Sequence, residues 1–113
     1  MKILLIISSS VGCYKALDLI RIIQKKEIDF EIIATKNTFQ FISKLLIEGI
    51  SKKKIYSELF DLDMEQNIGH IELARSNTHI VVYPATANIV SKFAHGICDD
   101  LASTCMIAAN KPI

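Results

Sequence analysis

Three stretches of the chain are apolar over strand length, and small or polar residues follow each one. Lys2 to Ser8 (KILLIIS) is an almost unbroken apolar run, the pattern of a strand covered on both faces. Asp29 to Thr35 (DFEIIAT) and Thr78 to Pro84 (THIVVYP) predict a second and a third strand. Helical spacings lie between them. Leu17, Ile20 and Ile23 share one face of YKALDLIRIIQKK, which closes on Lys25 and Lys26, where a helix C-terminus favours cations. KNTFQFISKLLIEG predicts one helix, with Phe41, Leu45 and Glu48 or Ile42 and Leu46 a turn apart and Gly49 as its stop. GHIELARS predicts a short helix capped by Asn67 or Gly69. TANIVSKFAHG places Ile89, Phe93 and Ile97 in register, and DDLASTCMIAAN predicts a last helix with Asp99 as its N-cap. Ser51 to Gln66 is only weakly periodic and reads as loop with short helical pieces.

Strands that alternate with helices predict parallel βαβ units in a three-layer α/β sandwich of flavodoxin or Rossmann type. The 113 residues suffice for a single domain. In such sheets ligands bind outside the carboxyl ends of the strands, at the switch in strand order. The three strand ends here carry SSSVG, Thr35 and PATAN. All are small or hydroxylated, so a small-molecule site is expected there.

Composition narrows the classes. Half the residues are hydrophobic and 22% are charged, which excludes a disordered chain. Net charge is +1, and the basic residues are scattered apart from Lys52, Lys53 and Lys54, so no nucleic-acid footprint is expected. The longest apolar run, Ile3 to Ile7, is far short of a membrane span and of a signal-peptide core. Cys13, Cys98 and Cys105 lack metal-ligand or Cys-x-x-Cys spacing, which points to reduced thiols and a cytoplasmic location. No metal site is expected.

Taken alone, each candidate has an ordinary explanation. SSSVG offers hydroxyls and free amides at a helix start, the means by which phosphate is held, yet it serves equally as a capped βα turn. It is neither a Gly-x-Gly-x-x-Gly fingerprint nor a Walker loop. His70 stands near the start of a short helix, where the positive end disfavours imidazolium and leaves a ring suited to accept a proton. A capping or surface histidine fits as well. Asp99 and Asp100 suit a metal or an acid pair, and also a cap with one solvated carboxylate.

Together, SSSVGCYK (Ser8 to Lys15), GHIEL (Gly69 to Leu73), PATAN (Pro84 to Asn88) and GICDDLAST (Gly96 to Thr104) resemble the homo-oligomeric flavin-containing cysteine decarboxylases. The resemblance spans essentially the whole chain and is strongest to the phosphopantothenoylcysteine decarboxylases of coenzyme A synthesis. It implies FMN, with its phosphate facing Ser9, Ser10 and Val11, a hydroxyl from Thr35, and Thr86, Ala87 and Asn88 along the flavin and the substrate carboxylate. It implies that His70 takes a proton while the cysteinyl side chain of a phosphopantothenoylcysteine-like substrate is oxidised. The resulting thioaldehyde then loses carbon dioxide readily. Trimers or multiples of trimers are implied too.

Two departures accompany the resemblance. Ser9 and Ser10 stand where the family usually has glycine, which predicts a loop strained at positive φ. The family also continues past the position of Ile113 with a fourth strand, a Pro-x-Met-Asn motif and a flap cysteine. The expectation is therefore a sheet truncated before that strand and a helix from Asp99 without a covering partner. Either a second chain then supplies the missing part, or the chain is a decayed or partial product. Other readings are an inactive flavin-binding or interaction module and a flavin prenyltransferase, against which GHIEL and the lack of a Gly-rich first loop both speak.

Overall fold

The computed structural model describes residues 1–57 and 69–113, and the backbone alone of His70. Four strands form one parallel sheet: β1 (Lys2–Ile7), β2 (Asp29–Ala34), β3 (Ile55–Tyr56) and β4 (His79–Val82), in the order β3-β2-β1-β4. Lys2 pairs with Asp29 and the register holds through Ile7 with Ala34, while Ile3 to Ile6 pair with His79 to Val82. Among the described residues the helices are α1 (Lys15–Lys25), α2 (Lys44–Ser51), α3 (His70–Arg75), α4 (Ala87–Ala94) and α5 (Leu101–Ala108). Short 3-10 turns, Val11–Tyr14 and Lys36–Gln40, follow the first two strands.

The central strand explains the layers. Successive side chains leave a strand on opposite faces, and β1 is apolar at every position from Ile3 to Ile7. Ile3, Leu5 and Ile7 pack with Ala16, Ile20 and Ile23 of α1 and Ile47 of α2. Leu4 and Ile6 pack with Leu73 of α3, Ile89 of α4, and Leu101, Cys105 and Met106 of α5. The expected three-layer α/β sandwich of parallel strands is what the structure shows.

Four local expectations are corrected. Ile55 and Tyr56, expected in a loop, pair with Ile32 and Ile33 as β3. The single helix expected over residues 36–49 is two pieces. Thr38 is fully buried and its hydroxyl donates to the Ile7 carbonyl at 3.1 Å, which ties a 3-10 turn beneath the end of β1. Ser43 then caps α2, accepting from Leu46 N–H at 3.0 Å, and the helix runs through Gly49 to a left-handed Lys52 at φ 57°. The N-cap of α5 is Asp100, not Asp99: its carboxylate accepts from Ser103 N–H at 2.8 Å, and the Ser103 hydroxyl accepts from Asp100 N–H at 3.2 Å, a reciprocal cap. Finally, α5 is covered, since Leu101 and Cys105 are fully buried and Met106 nearly so. Beside it the last residues turn toward the sheet: Ile80 N–H donates to the Pro112 carbonyl at 3.0 Å, and the Lys111 ammonium donates to the Arg75 and Asn77 carbonyls.

The three cysteines form no disulfide. Burial pushes the Cys13 thiol upward and the Cys105 thiol to about 12, the latter helped by the Asp100 carboxylate. Thiolate is the reactive form. A maleimide at neutral pH should therefore label exposed Cys98 alone, and Cys13 and Cys105 only after denaturant, as read by mass spectrometry of the labelled peptides. Rapid labelling of Cys105 in the folded chain would contradict this packing.

Candidate functional site

The strand order places the switch between β1 and β4, because the chain winds outward through β2 and β3 and then returns to the other side of β1. Ser8 joins the two strand ends there. It is buried to 2% exposure, its hydroxyl donates to the Pro84 carbonyl, and the same oxygen accepts from Thr86 N–H at 3.2 Å. Thr86 in turn caps α4, accepting from Ile89 N–H at 3.3 Å. On the other flank Thr35 N–H donates to the Ile7 carbonyl at 3.0 Å, and the Thr35 and Thr38 hydroxyls bond at 3.0 Å. The three strand ends are thus locked into one rim by hydrogen bonds.

A cavity of about 130 Å³ opens on that rim, lined by Ser8, Ser9, Thr35, Lys36, Asn37, Thr86, Asn88, Ile89, Lys92 and Asp100. Of the residues singled out in the sequence, Ser9, Thr35, Thr86 and Asn88 come together here. Ser10, Val11 and Ala87 lie outside the lining. The Ser10 hydroxyl accepts from Gly12 N–H at 3.2 Å and caps the 3-10 turn, and Val11 is 78% exposed. His70 opens α3, behind Gly69 as N-cap. Its side chain lies outside what is described, as does the alternative cap Asn67.

The serines carry no backbone strain. Ser10 has φ −156° and ψ 169°, an extended conformation open to any residue. Among the described residues only Glu27 and Lys52 are non-glycine at positive φ. Serine therefore replaces the family's glycine at Ser10 without the expected cost, and adds a hydroxyl.

Sequence reasoning missed Lys36, Asn37, Ile89 and Lys92, and it named Ser8 only as part of SSSVG and Asp100 only as a metal, acid-pair or cap candidate. Lys36 and Asn37 directly follow a strand end, and Lys92 stands one turn beyond Asn88, so spacing could have found these three. Asp100 needs the fold. Gly96, at φ +69°, ends α4 with Gly96 N–H donating to the Phe93 carbonyl at 3.3 Å and Ile97 N–H to the Lys92 carbonyl at 2.9 Å. Glycine adopts that left-handed angle freely. The turn brings both aspartates back to the helix: the Lys92 ammonium lies 2.9 Å from Asp99 Oδ1 and 3.7 Å from Asp100 Oδ2. The hydrogen bond to Asp99, with the charge of both carboxylates, raises the Lys92 pKa, and the same bond lowers that of Asp99.

Hydroxyls, amides and two ammonium groups around a small space suit an oxygen-rich anion. The volume is below the roughly 300–1,000 Å³ of sites that enclose a whole ligand, so the cavity fits a head group and leaves the remainder outside. Among the described residues no cluster of His, Cys, Asp or Glu could hold a metal. No described helix is long and apolar enough to cross a membrane. Ser8→Ala should strand the Thr86 amide and the Pro84 carbonyl. A buried polar group left unpaired costs about 1–3 kcal/mol, to be read from the urea midpoint. Ser8→Thr, which keeps the hydroxyl, should recover part of that loss.

The family profile described as Flavoprotein matches residues 1–113. The chain belongs to the flavoprotein family. It is 34% identical over 112 residues to the coenzyme A biosynthesis bifunctional protein CoaBC of Vibrio vulnificus strain YJ016, covering 99% of this chain and 28% of that protein. It is 35% identical over 107 residues to a probable phosphopantothenoylcysteine decarboxylase of Streptococcus mutans, covering 95% of this chain and 60% of the relative. The chain thus spans less than two thirds of either relative. The crystal structure of the FMN-dependent cysteine decarboxylase SpaF superposes with a TM-score of 0.86 at 21% identity, over 99% of this chain and 65% of that one. That likeness concerns the fold. This flavoprotein-family chain is accordingly related to phosphopantothenoylcysteine decarboxylases, and its family supports a flavin as cofactor.

Proposed function

We propose that the chain is the FMN-binding portion of a phosphopantothenoylcysteine decarboxylase-like flavoprotein, with the FMN phosphate in the cavity at the β1–β4 switch. The observation that carries this reading is the rim itself: Ser8 ties the first loop to the PATAN turn, and Ser9, Thr35 and Thr86 line a cavity of about 130 Å³. The donor set fits the group. Ser9 would donate to a phosphate oxygen, Thr35 would do so on turning its hydroxyl away from Thr38, and the cavity-lining N-terminus of α4 favours the anion. Asn88, on the first turn of α4, is placed to meet the flavin edge or a substrate carboxylate. When bound, FMN supplies the oxidation that activates the cysteinyl carboxylate for loss of carbon dioxide. His70, at the start of α3, takes the proton released from the substrate.

Turnover further requires a group to grip the substrate carboxylate. On this reading the Pro-x-Met-Asn asparagine and the flap cysteine come from a further polypeptide segment, and the assembled protein is a cytoplasmic trimer or a multiple of one. The test is reconstitution with FMN, FAD and NAD, followed by denaturation and chromatography of what the protein retains. FMN retained in preference to the others is the expected result. Preferential FAD, or no flavin, sinks the reading.

A further inference from the structure

We propose that Lys92 sets the cavity's preference for a phosphorylated ligand over its uncharged counterpart, and that Asp99 restrains this preference by sharing the ammonium. The proposal rests on the cavity being the phosphate end of a flavin site. Lys92 follows Asn88 by four positions on α4, so the two share a helix face, and both line the cavity. Its side chain is 20% exposed. Both of its ends are fixed: the main-chain carbonyl by Ile97 N–H at 2.9 Å, and the ammonium by Asp99 and Asp100 at 2.9 and 3.7 Å. A lysine held in this way contributes a charge at a set position, without the freedom of the exposed Lys36 on the opposite rim.

The charges on the lining show what Lys92 contributes. Lys36, Lys92 and Asp100 are its charged members. Without Lys92, the Asp100 carboxylate faces an incoming anion with only Lys36 opposing it. Asp99 has the shortest contact with the ammonium yet is not part of the lining, and its side chain is 60% exposed. It draws the charge outward. Removing it should free a donor for the ligand at little structural cost.

The test compares FMN with riboflavin, which differ by the phosphate, by titration of flavin fluorescence on the intact chain. Inorganic phosphate is titrated by calorimetry as a second probe. Lys92→Gln should weaken FMN on the order of tenfold and leave riboflavin nearly unchanged. Lys92→Arg should retain the preference. Asp99→Asn should tighten FMN by about threefold, and its exposed position makes it a variant that folds. Equal loss of FMN and riboflavin in Lys92→Gln would assign Lys92 a purely structural role and overturn the proposal, as would an Asp99→Asn that binds FMN no better. If the wild-type chain binds neither flavin, the flavin reading fails. The Lys92 proposal then stands or falls on inorganic phosphate, with the same ordering of variants required.

Discussion

Leu101→Ala should lower the unfolding free energy by about 2–5 kcal/mol, the usual cost of emptying a buried leucine site. That is a large share of the roughly 5–15 kcal/mol that holds a domain together. Leu101 is the first residue of α5, is fully buried, and belongs to the cluster formed by Leu4, Ile6, Ile33 and Ile80 on one face of the sheet. Its loss opens a cavity between the helix and three strands. Ile107 is on the same helix but 40% exposed, so Ile107→Ala should cost far less, within about 1 kcal/mol. Urea unfolding of both variants, followed by circular dichroism, separates them. Equal small effects would mean that α5 is not packed on the sheet and that the Asp100 side of the cavity is not built as described.

The second large effect concerns rate. In the protein assembled with the segment that completes the substrate site, His70→Asn should lower decarboxylation by about 10²–10⁴-fold, the usual contribution of one positioned acid–base group. Flavin content should stay near that of the wild type. The two readouts separate because the proposed cofactor contacts come from the first loop, Thr35 and the turn at Thr86, while His70 belongs to α3. Asparagine preserves size and hydrogen bonding but has no basic nitrogen. Carbon dioxide release and flavin content are measured on one preparation. Full flavin with near-normal turnover would remove His70 from the chemistry, and loss of flavin together with turnover would make its role structural.

The framework was legible because β1 is buried on both faces, which writes a continuous apolar run into the sequence, and because βαβ alternation dictates parallel strands. That a site lies at SSSVG, Thr35 and PATAN followed from the general placement of ligand sites in such sheets, whereas the individual residues Ser9, Thr86 and Asn88 came from the family resemblance. What escaped depends on distant contacts. β3 is two residues beside a lysine triplet and exists through its pairing with Ile32 and Ile33. Thr38 interrupts the helical pattern because its hydroxyl is drawn to the Ile7 carbonyl, 31 positions away in the chain. Asp100 reaches the cavity only through the left-handed turn at Gly96, and a glycine between two helical patterns does not reveal which side chains it will bring together. The cover over α5 likewise comes from β1, β2, β4 and α3 already present, where a reading along the chain looks for the next strand.

The central claim is a location: the phosphate of FMN at the β1–β4 switch. A crystal structure of the chain soaked with FMN tests it most directly. The account predicts phosphate density in the cavity, with oxygens within hydrogen-bond reach of the Ser9 and Thr35 hydroxyls and Lys92 beside it, and the flavin ring extending outward past Asn88. Flavin bound instead in the apolar groove along β4, between Val82, Val90 and Phe93, with the cavity empty of phosphate, would contradict it.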